Sequence, residues 1–538
     1  MIIMVAEFLE YPDFSEIIPK GSVVAISGFN LGTTPEYLMN LLLETYIKTG
    51  KPSDLFLVCD ALPAASGRGL DLIMKYIYEY NDSKFIRGIL VPFLGFSKYL
   101  QKIALEERMP IYSWPIGVTA YWLREIASGR PGLLSRIGVG TYLDPELQGG
   151  TLNNVARKQN LCKISEIKVD SQKSLFFEGP KPDFAFIRAS ISDAKGNLSV
   201  TDEPFRGTVL TIAQATKAKP VSGKVYAQVS RVMHGGTMAP HEVEVPWPLV
   251  DSVIISPKEF HCQSPRLSFD PEVSVGNSYI ASPEFSVKEK ELDVAGKIIV
   301  QQGIMRLIKA LGNKDHIMIN LGVGIPASIG GYIYENRLED RIVPVVESGP
   351  WGGVSLSGEN FGVCKGFFAV STIPDMFSNY EGGIIDMAAL GFLQVDRFGN
   401  VNPSFIPGKI TGPGGFPVIA QGSPATFFMG KFMGGKIDCQ LSNGRLKINR
   451  DGDTVKFVND VYRIFFSGKQ ASVQRKKITY ITERAIMELT PQGIEIVEIA
   501  PGLDIEQNVL SKMEFEPKIS TKLKEMEAGR PTPRFIMM

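Results

Sequence analysis

The chain has 538 residues, of which 44% are hydrophobic and 21% charged, more than one hydrophobic core usually holds, so we expect at least two domains. Lysine plus arginine and aspartate plus glutamate both number 57, so no overall basic field favours a nucleic acid or an anionic membrane as partner. Five scattered cysteines without a CxxC pair, no signal-peptide pattern and no membrane-length apolar run predict a cytoplasmic protein without disulfides or a zinc site.

The N-terminal region alternates short apolar runs with segments of helical spacing. Val23–Ile26 predicts a strand that runs into a glycine loop, and residues 35–46 predict the helix that follows. The same alternation continues through Leu55–Cys59, the amphipathic segment Leu70–Tyr80, Ile89–Pro92 and Ile111–Trp114. This alternation predicts a largely parallel α/β sheet. The first glycine loop contains neither GxGxxG nor GxxxxGK[ST], so an anion-binding loop and a plain βα turn both remain open.

Two distant segments share the frame D-x9-D-x2-G-N. The frame occurs in Asp183–Val200 and again in Asp386–Pro403, and each copy is followed by the tripeptide IAQ, at Ile212–Gln214 and Ile419–Gln421. Because the order of the matches is preserved over such a long interval, the pattern indicates a duplicated domain rather than a solenoid.

An upstream match extends this repeat. Lys20–Pro35 and Lys314–Pro326 both read as a charged start, an apolar strand, a glycine loop and a proline. We therefore predict two related open α/β domains, residues 1–285 and 286–538, with the boundary in the charged segment Pro283–Asp293.

A single acidic residue follows a buried strand in the second half. Ile342–Val346 predicts the strand, Glu347 follows it, and residues 348–353 form a bend rich in glycine. A carboxylate at the carboxyl end of such a strand lies where open α/β sheets bind ligands. The alternative is an ordinary turn with a solvated glutamate. We find no match for Glu347 and its bend in the first half, so the second half is predicted to carry the chemistry.

Other glycine-rich loops in the second half strengthen this hypothesis, and other catalytic motifs are missing. Gly322–Gly331, Glu381–Asp386 and Ile410–Phe416 offer backbone amides that can converge on an oxyanion. The chain contains no GxSxG, HExxH or P-loop lysine, and GVGIPASIGG departs from the GxGxxG of nicotinamide sites. No metal site is predicted, because the histidines are scattered: His234, His241, His261 and His316. The residues point to a nucleophilic carboxylate.

Eight strings then carry a resemblance to a known family. They span nearly the whole chain: Ser27–Leu38, Gly138–Asn153, Gln228–Val232, GVGIP at Gly322–Pro326, VESGPWGG at Val346–Gly353, Gly399–Asn402, GPGGF at Gly412–Phe416 and Tyr480–Asp504. With these strings the sequence resembles a family I CoA-transferase of the acetate/acetoacetate (3-oxoacid) type, with both halves fused in one chain.

The resemblance implies the reaction and its partners. It implies transfer of coenzyme A between a short-chain acyl-CoA and a small carboxylic acid, by a ping-pong mechanism in which Glu347 becomes a glutamyl-CoA thioester. CoA is then substrate and covalent intermediate, and no permanently bound cofactor is needed. A homo-oligomer, dimer or tetramer, is expected. Two alternatives are an acyl-CoA thioester hydrolase on the same fold and a non-catalytic acyl-CoA-binding sensor, although an intact Glu347 counts against the sensor.

The same resemblance implies a set of site residues. Those expected at the CoA and oxyanion site are Gly322, Val323, Gly324, Ile325, Pro326, Asn400, Gly414 and Gly415. Those expected on the first-half loop near the acyl group are Gly28, Phe29, Asn30 and Gly32. Lys365–Tyr380 and the loop SGFNLGTTP depart from the family pattern, so the sequence does not predict which acid is used.

Overall fold

The computed structural model describes residues 6–220, 222–274 and 292–527. The described residues build two large β-sheets, one from each half of the chain, with helices packed against them. The predicted boundary Pro283–Asp293 lies almost wholly outside the described residues, so the limits 1–285 and 286–538 stay a prediction.

The first sheet has eight strands, and every neighbouring pair is parallel. The strands are β1 Glu7–Leu9, β2 Val23–Ile26, β3 Leu55–Cys59, β4 Ile86–Leu90, β5 Ile111–Tyr112, β6 Phe184–Arg188, β7 Lys224–Val229 and β8 Ser252–Ile255. Their spatial order is β1-β8-β7-β6-β2-β3-β4-β5. All residues of β2 and β3 are buried, as expected for parallel strands covered by helices on both faces.

The second sheet has ten strands and is mixed. The strands are β9 Ile317–Leu321, β10 Ile342–Val345, β11 Pro350–Trp351, β12 Ala369–Val370, β13 Met387–Leu390, β14 Ala425–Met429, β15 Lys477–Ile481, β16 Ala485–Thr490, β17 Gly493–Ile499 and β18 Lys518–Glu525. Their spatial order is β12-β11-β10-β9-β13-β14-β15-β16-β17-β18. Its centre, from β10 to β15, is parallel, and antiparallel pairs extend it on both sides.

Helices connect and cover these strands. They are α1 Phe14–Ile17, α2 Glu36–Thr49, α3 Leu70–Tyr80, α4 Lys98–Leu105, α5 Ile116–Ala127, α6 Asn154–Gln159, α7 Val209–Lys217, α8 Val294–Leu311, α9 Ser328–Glu335, α10 Ile373–Glu381, α11 Phe416–Gly422, α12 Gly468–Val473 and α13 Ile505–Asn508. The predicted strands at β2 and β3 and the predicted helix at α3 are confirmed at the same residues.

Short strands and 3-10 turns complete the two halves. The strands are Ala64–Ala65, Arg68–Gly69, Leu133–Ser135, Lys163–Val169, Gln172–Glu178, Ile191–Ser192, Leu198–Ser199, Arg231–Val232, Val354–Ser355, Cys364–Lys365, Gln394–Asp396, Val401–Asn402, Phe405–Ile406, Lys409–Ile410, Met433–Gly434, Asp438–Ser442, Arg445–Arg450, Thr454–Val455 and Phe457–Val458. The 3-10 turns are Pro240–Glu242, Trp247–Leu249, Lys258–Phe260, Pro271–Val273, Ile325–Ala327, Gly358–Asn360 and Leu510–Lys512.

The two sheets repeat one topology. The order β8-β7-β6-β2-β3 in the first sheet corresponds to β15-β14-β13-β9-β10 in the second, with all pairs parallel. The two IAQ tripeptides lie on equivalent helices, α7 and α11, each of which follows the equivalent strand β6 or β13. The duplication that the sequence pattern indicates is therefore present in the fold.

The first aspartate of the shared D-x9-D-x2-G-N frame makes the same kind of hydrogen bond in both halves. Asp183 accepts a hydrogen bond at 2.9 Å from the backbone N–H of Val23 at the start of β2, and Asp386 accepts one at 2.9 Å from Met318 in β9. Each first aspartate thus joins its strand to the neighbouring central strand. The frame was conserved between the halves because it supports the sheet.

The second aspartate and the asparagine of the frame close a tight turn. Asp193 accepts hydrogen bonds from the backbone N–H and the side-chain amide of Asn197, at 3.0 and 2.8 Å. Asp396 accepts the corresponding bonds from Asn400, at 2.9 and 2.9 Å. Such a carboxylate replaces the backbone partners that the turn leaves without hydrogen bonds.

The prediction that Glu347 and its bend have no match in the first half is wrong for the acid, although it holds for the bend. Asp60 directly follows β3 as Glu347 follows β10, and β3 and β10 hold equivalent places in their sheets. The Asp60 side chain is completely buried and accepts a hydrogen bond at 2.9 Å from the Ala61 N–H. Burial raises the pKa of Asp60 to about 7, against the lowering effect of these hydrogen bonds. The bend itself has no counterpart, which is why the sequence comparison missed the acid.

Asp60 predicts a specific dependence of stability on pH. The folded chain holds the Asp60 proton to higher pH than the unfolded chain, so this contribution to stability is complete below about pH 4 and is lost as the pH rises through 7. Asp60→Asn cannot ionise and keeps an oxygen for the Ala61 N–H. We expect the variant to gain about 2–4 kcal/mol relative to wild type between pH 4 and pH 8.

Denaturant unfolding at the two pH values measures this difference. The surface variant Asp340→Asn serves as the control and should show no such gain. An Asp60→Asn curve that runs parallel to wild type across the range would contradict the prediction.

Candidate active site

A cavity of about 540 Å³ lies where the carboxyl ends of strands from both sheets face each other. The first half contributes the residues that follow β2, β3 and β4, among them Phe29, Leu62 and Phe93. The second half contributes the residues that follow β9, β10 and β13, among them Glu347. This is the position at which open parallel sheets bind their ligands, and the volume is that of a small-molecule site.

Backbone hydrogen bonds hold the two halves together around the cavity. Leu94 N–H donates to Thr411 O at 2.8 Å and Gly414 N–H to Pro92 O at 3.0 Å. On the next helix, Ile116 N–H donates to Gly414 O at 3.0 Å. The predicted GPGGF loop is therefore fastened to loops of the first half on both sides of Gly414.

The bend after β10 requires glycine. Gly349 has a φ of +128°, and a Cβ at this position would lie 2.1 Å from Ser371 O. The Gly349 N–H donates to Val346 O at 2.9 Å, and the Ser348 hydroxyl donates to Gly362 O. These contacts turn the chain sharply enough to leave Glu347 at the wall of the cavity.

Glu347 is not a solvated turn residue. Its side chain is only 8% exposed and it lines the cavity. Burial raises the pKa of Glu347 to about 7, and a hydrogen bond from the Gly415 N–H opposes that shift. A buried carboxyl with a pKa near neutrality in a cavity is typical of a functional site.

Gly415 and Gly414 differ in what their amides do. Gly415 lies against the Glu347 carboxylate, since a Cβ at Gly415 would lie 1.7 Å from Glu347 Oε2, and its backbone amide lowers the pKa of that carboxyl. The Gly414 N–H is already bonded to Pro92 O. Gly414 therefore lines the cavity but does not have the free amide that the sequence predicts for an oxyanion donor.

The predicted GVGIP loop is only partly at the cavity. Gly322 and Val323 line it, but the Gly322 N–H donates to Ala389 O at 2.8 Å, and Val323 is 54% exposed. Gly324 has a φ of +87° and starts the 3-10 turn of Ile325 and Pro326, which leads into α9 and does not line the cavity.

Asn400 lies away from Glu347. Its side-chain amide donates to Asp396, and its Oδ1 accepts the Gly468 N–H at 2.9 Å. It lines a separate cavity near Lys173 and Gln470. Asn400 therefore does not line the cavity of Glu347, its side chain is used by the repeated turn, and its role in binding CoA stays a prediction.

Two of the four residues predicted on the first-half loop line the cavity, and the other two do not. Phe29 and Asn30 line the cavity, and the Asn30 amide donates to Phe361 O at 2.8 Å across the two halves. Gly28 and Gly32 do not line it. A Cβ at Gly28 would lie 2.0 Å from Thr34 Oγ1, and one at Gly32 would lie 2.4 Å from the Phe205 ring.

A buried ion pair makes hydrogen bonds to the backbone of this loop. Arg188 donates to both carboxylate oxygens of Glu203 at 2.8 Å, and both side chains are 2% exposed. Arg188 also donates to Leu31 O at 2.8 Å, and Glu203 accepts the Thr33 N–H at 3.0 Å. Removing one partner of such a pair is costly, so the pair holds the loop in place.

The atypical stretch 365–380 forms β12 and most of α10. In α10, Phe377 lies beside Gly415, since a Cβ there would be 2.9 Å from the ring. The Tyr380 hydroxyl accepts a hydrogen bond at 2.8 Å from Asn320, a residue that lines the cavity. This stretch therefore packs behind the residues that line the cavity near Glu347.

Sequence reasoning missed the aromatic residues of the cavity. Phe93, Phe96, Phe361, Phe392 and Phe416 line it from four separate places in the chain. Only Phe416 belongs to a motif, the GPGGF string, and the position of Phe93 just after a predicted strand gave a local signal.

The described residues include neither a candidate metal site nor a helix that could cross a membrane. Among them there is no group of three or more histidine, cysteine, aspartate or glutamate residues placed to hold a metal ion. Within the same ranges no helix is both long and apolar enough to cross a membrane.

Comparison with known proteins identifies the class that this fold and site define. The sequence model of the family described as Coenzyme A transferase matches residues 14–256. The chain is 32% identical to the caffeate CoA-transferase of Acetobacterium woodii over 97% of both chains. The chain belongs to the coenzyme A transferase family.

Two further matches specify the type. The chain is 32% identical to the acetate CoA-transferase YdiF of Escherichia coli strain K12, over 91% of this chain and 88% of that protein. The solved thioester complex with CoA of YdiF from Escherichia coli O157:H7 superposes with a TM-score of 0.84 at 29% identity, covering 98% of this chain and 96% of that one. The protein is a CoA-transferase of the acetate/3-oxoacid type with both halves in one chain, and it is an enzyme that transfers CoA. These relatives are named as transferases, so the hydrolase and sensor alternatives are not favoured.

Gly415 gives a direct test of the site geometry. Gly415→Ala places a methyl group where the Glu347 carboxylate lies, so we expect kcat to fall at least about a hundredfold, as for loss of one oxyanion donor. The matched control is Gly331→Ala on α9, where a Cβ meets nothing within 4 Å.

Steady-state kinetics and thermal unfolding of both variants separate the outcomes. Gly331→Ala should retain wild-type kcat. A folded Gly415→Ala variant with wild-type kcat would show that the Glu347–Gly415 contact is not part of the site.

Proposed function

We propose that Glu347 is the nucleophile of the transfer and carries CoA as a glutamyl thioester. The observation that carries the proposal is the position of this buried carboxylate in the cavity, against the backbone of Gly415 and between residues of both halves. The YdiF structure, a thioester complex with CoA, supports the same kind of intermediate in a relative.

The first half-reaction needs only the carboxylate and the acyl-CoA. A Glu347 oxygen attacks the thioester carbonyl, the C–S bond breaks, and CoA leaves as a thiolate. The acyl group is then joined to Glu347 as a mixed anhydride. The thiolate then attacks the Glu347 carbonyl carbon and releases the donor acid as its carboxylate. The acceptor carboxylate runs the same steps backward, so no net proton transfer is required.

Each attack passes through a tetrahedral oxyanion that needs a hydrogen-bond donor. The Gly415 N–H already faces the Glu347 carboxyl oxygen, so it remains on that oxygen when the carbon of Glu347 becomes tetrahedral. Such a fixed donor is most effective where water is absent, and burial of Glu347 supplies that condition. The same exclusion of water protects the thioester from hydrolysis.

The intermediate can be trapped. Incubation with acetyl-CoA and no acceptor should add the mass of CoA minus water to the peptide that contains Glu347, and added acetate should discharge it. Glu347→Gln, nearly isosteric, should lose transfer by several orders of magnitude, with no adduct and with double-reciprocal plots no longer measurable.

The control for this variant is a glutamate that does not line the cavity, Glu381. Burial also raises the pKa of Glu381, which accepts a hydrogen bond from Ser135, so Glu381→Gln should keep both adduct and transfer. Wild-type transfer by Glu347→Gln would refute the proposal, and release of free acid at the same rate without acceptor would indicate a hydrolase.

The raised pKa of Glu347 predicts the pH profile of the first half-reaction. Only the carboxylate attacks, and its pKa is about 7, so kcat/KM for acyl-CoA should fall about tenfold per pH unit below 7 and level off above it. Stopped-flow thioester formation from pH 5 to 9 measures this profile. A flat profile across that range would mean that Glu347 is not the group whose ionisation controls attack.

Assembly and location stay proposals of the same kind. We expect a homo-oligomer, dimer or tetramer, in the cytoplasm, with acyl-CoA and small carboxylic acids as the partners. Analytical ultracentrifugation tests the first expectation and cell fractionation the second.

A further inference from the structure

We propose that the acyl group transferred by this protein is apolar and branched, and that the cavity discriminates against an acid with a second carboxylate. The inference rests on the proposed function, because the acyl group enters this cavity only if Glu347 is its acceptor. It adds the substrate class, which neither the motifs nor the general chemistry of CoA transfer decides.

The wall given by the first half is apolar. Leu62 and Ala61 follow β3, Phe93 and Phe96 follow β4, and Phe29 follows β2. A cavity of about 540 Å³ is far larger than an acetyl group needs, and an acetyl group alone would leave much of this wall without contact. A branched hydrocarbon covers such a surface and gains from its removal from water.

Fixed charges are nearly absent from the lining. Among the described residues that line the cavity, Glu347 and Lys409 are the charged side chains, and Lys409 is exposed at the rim. A second carboxylate on the substrate would therefore enter a space that already holds one carboxylate and offers no buried cation. Burial of an unpaired charge is strongly unfavourable.

The polar side chains that line the cavity donate hydrogen bonds to other groups of the protein. The Asn30 amide donates to Phe361 O, and the Asn320 amide donates to Val345 O and to the Tyr380 hydroxyl. The Ser404 hydroxyl donates to Gly412 O. Their hydrogen bonds hold the loops of the cavity together, so these donors do not replace a missing cation.

Phe93 marks where the acyl group lies. Gly415 contacts the Glu347 carboxylate, and at the preceding residue, Gly414, a Cβ would lie 3.8 Å from the Phe93 ring. Phe93 and Glu347 line the same cavity, so an acyl group joined to a Glu347 oxygen can extend to the Phe93 ring, which makes Phe93 the specificity-determining residue of this proposal.

Two acceptors of matched shape test the inference. In 4-methylpentanoate an isopropyl group stands where succinate has its second carboxylate. With acetyl-CoA as donor and chromatographic detection of the new acyl-CoA, we expect kcat/KM for 4-methylpentanoate to exceed that for succinate at least about a hundredfold. In Lys409→Met, which removes the cation of the rim, the same ratio should persist.

A wall variant tests the position of the acyl group. In Phe93→Ala the ratio of kcat/KM for 4-methylpentanoate to that for acetate should fall at least about tenfold, because several methylene-sized contacts are lost. The control Phe8→Ala removes a phenylalanine that is 42% exposed on β1, and its ratio should equal that of wild type. An unchanged ratio in folded Phe93→Ala would overturn the assignment of this wall.

The design separates failure of the inference from failure of the proposed function. Exchange of isotope-labelled acetate into acetyl-CoA and the CoA adduct on Glu347 report the function independently of acyl preference. If both occur and succinate is used as well as 4-methylpentanoate, the inference on substrate class is wrong. If neither occurs, the proposed function fails and the inference fails with it.

Discussion

The site depends on one contact, between the Glu347 carboxylate and the backbone N–H of Gly415. It requires an acid at the end of β10, a residue without a side chain at 415, and a loop that stays close to the acid. The first half supplies the last condition, since hydrogen bonds with Pro92, Leu94 and Ile116 fix the loop on both sides of Gly414. The catalytic group belongs to one half, but its environment requires both.

Duplication followed by divergence explains how the halves came to differ. Asp60 and Glu347 follow equivalent strands, and burial raises the pKa of both to about 7. Asp60 has no exposure at all, whereas Glu347 reaches the cavity. The next residues, Ala61 and Leu62, form apolar wall, while the bend after Glu347 is held by Gly349. One acid became part of the core and the other remained accessible to substrate.

Chemistry and selectivity are therefore separated along the chain. In the proposed mechanism the reacting carboxylate, Glu347, lies in the second half, whereas much of the apolar wall of the cavity comes from loops after β2, β3 and β4. Substitutions in these loops can change the preferred acid without touching Glu347. The relatives that this chain resembles carry different substrate names, caffeate and acetate among them.

The sequence by itself determined the features that depend on local pattern: the strands β2 and β3, the helix α3, the repeated aspartate frame, and Glu347 in a glycine bend at the end of a strand. Hydrophobic periodicity and residue spacing are properties of the sequence, so they can be recognised without coordinates. The tertiary structure decided which distant groups meet. It used the amides of Asn400 and Gly414 for internal hydrogen bonds, gave Asp60 and Glu347 equivalent places in the two sheets, and gathered six phenylalanines into one cavity. These outcomes depend on the packing of loops from both halves, and no local pattern encodes them.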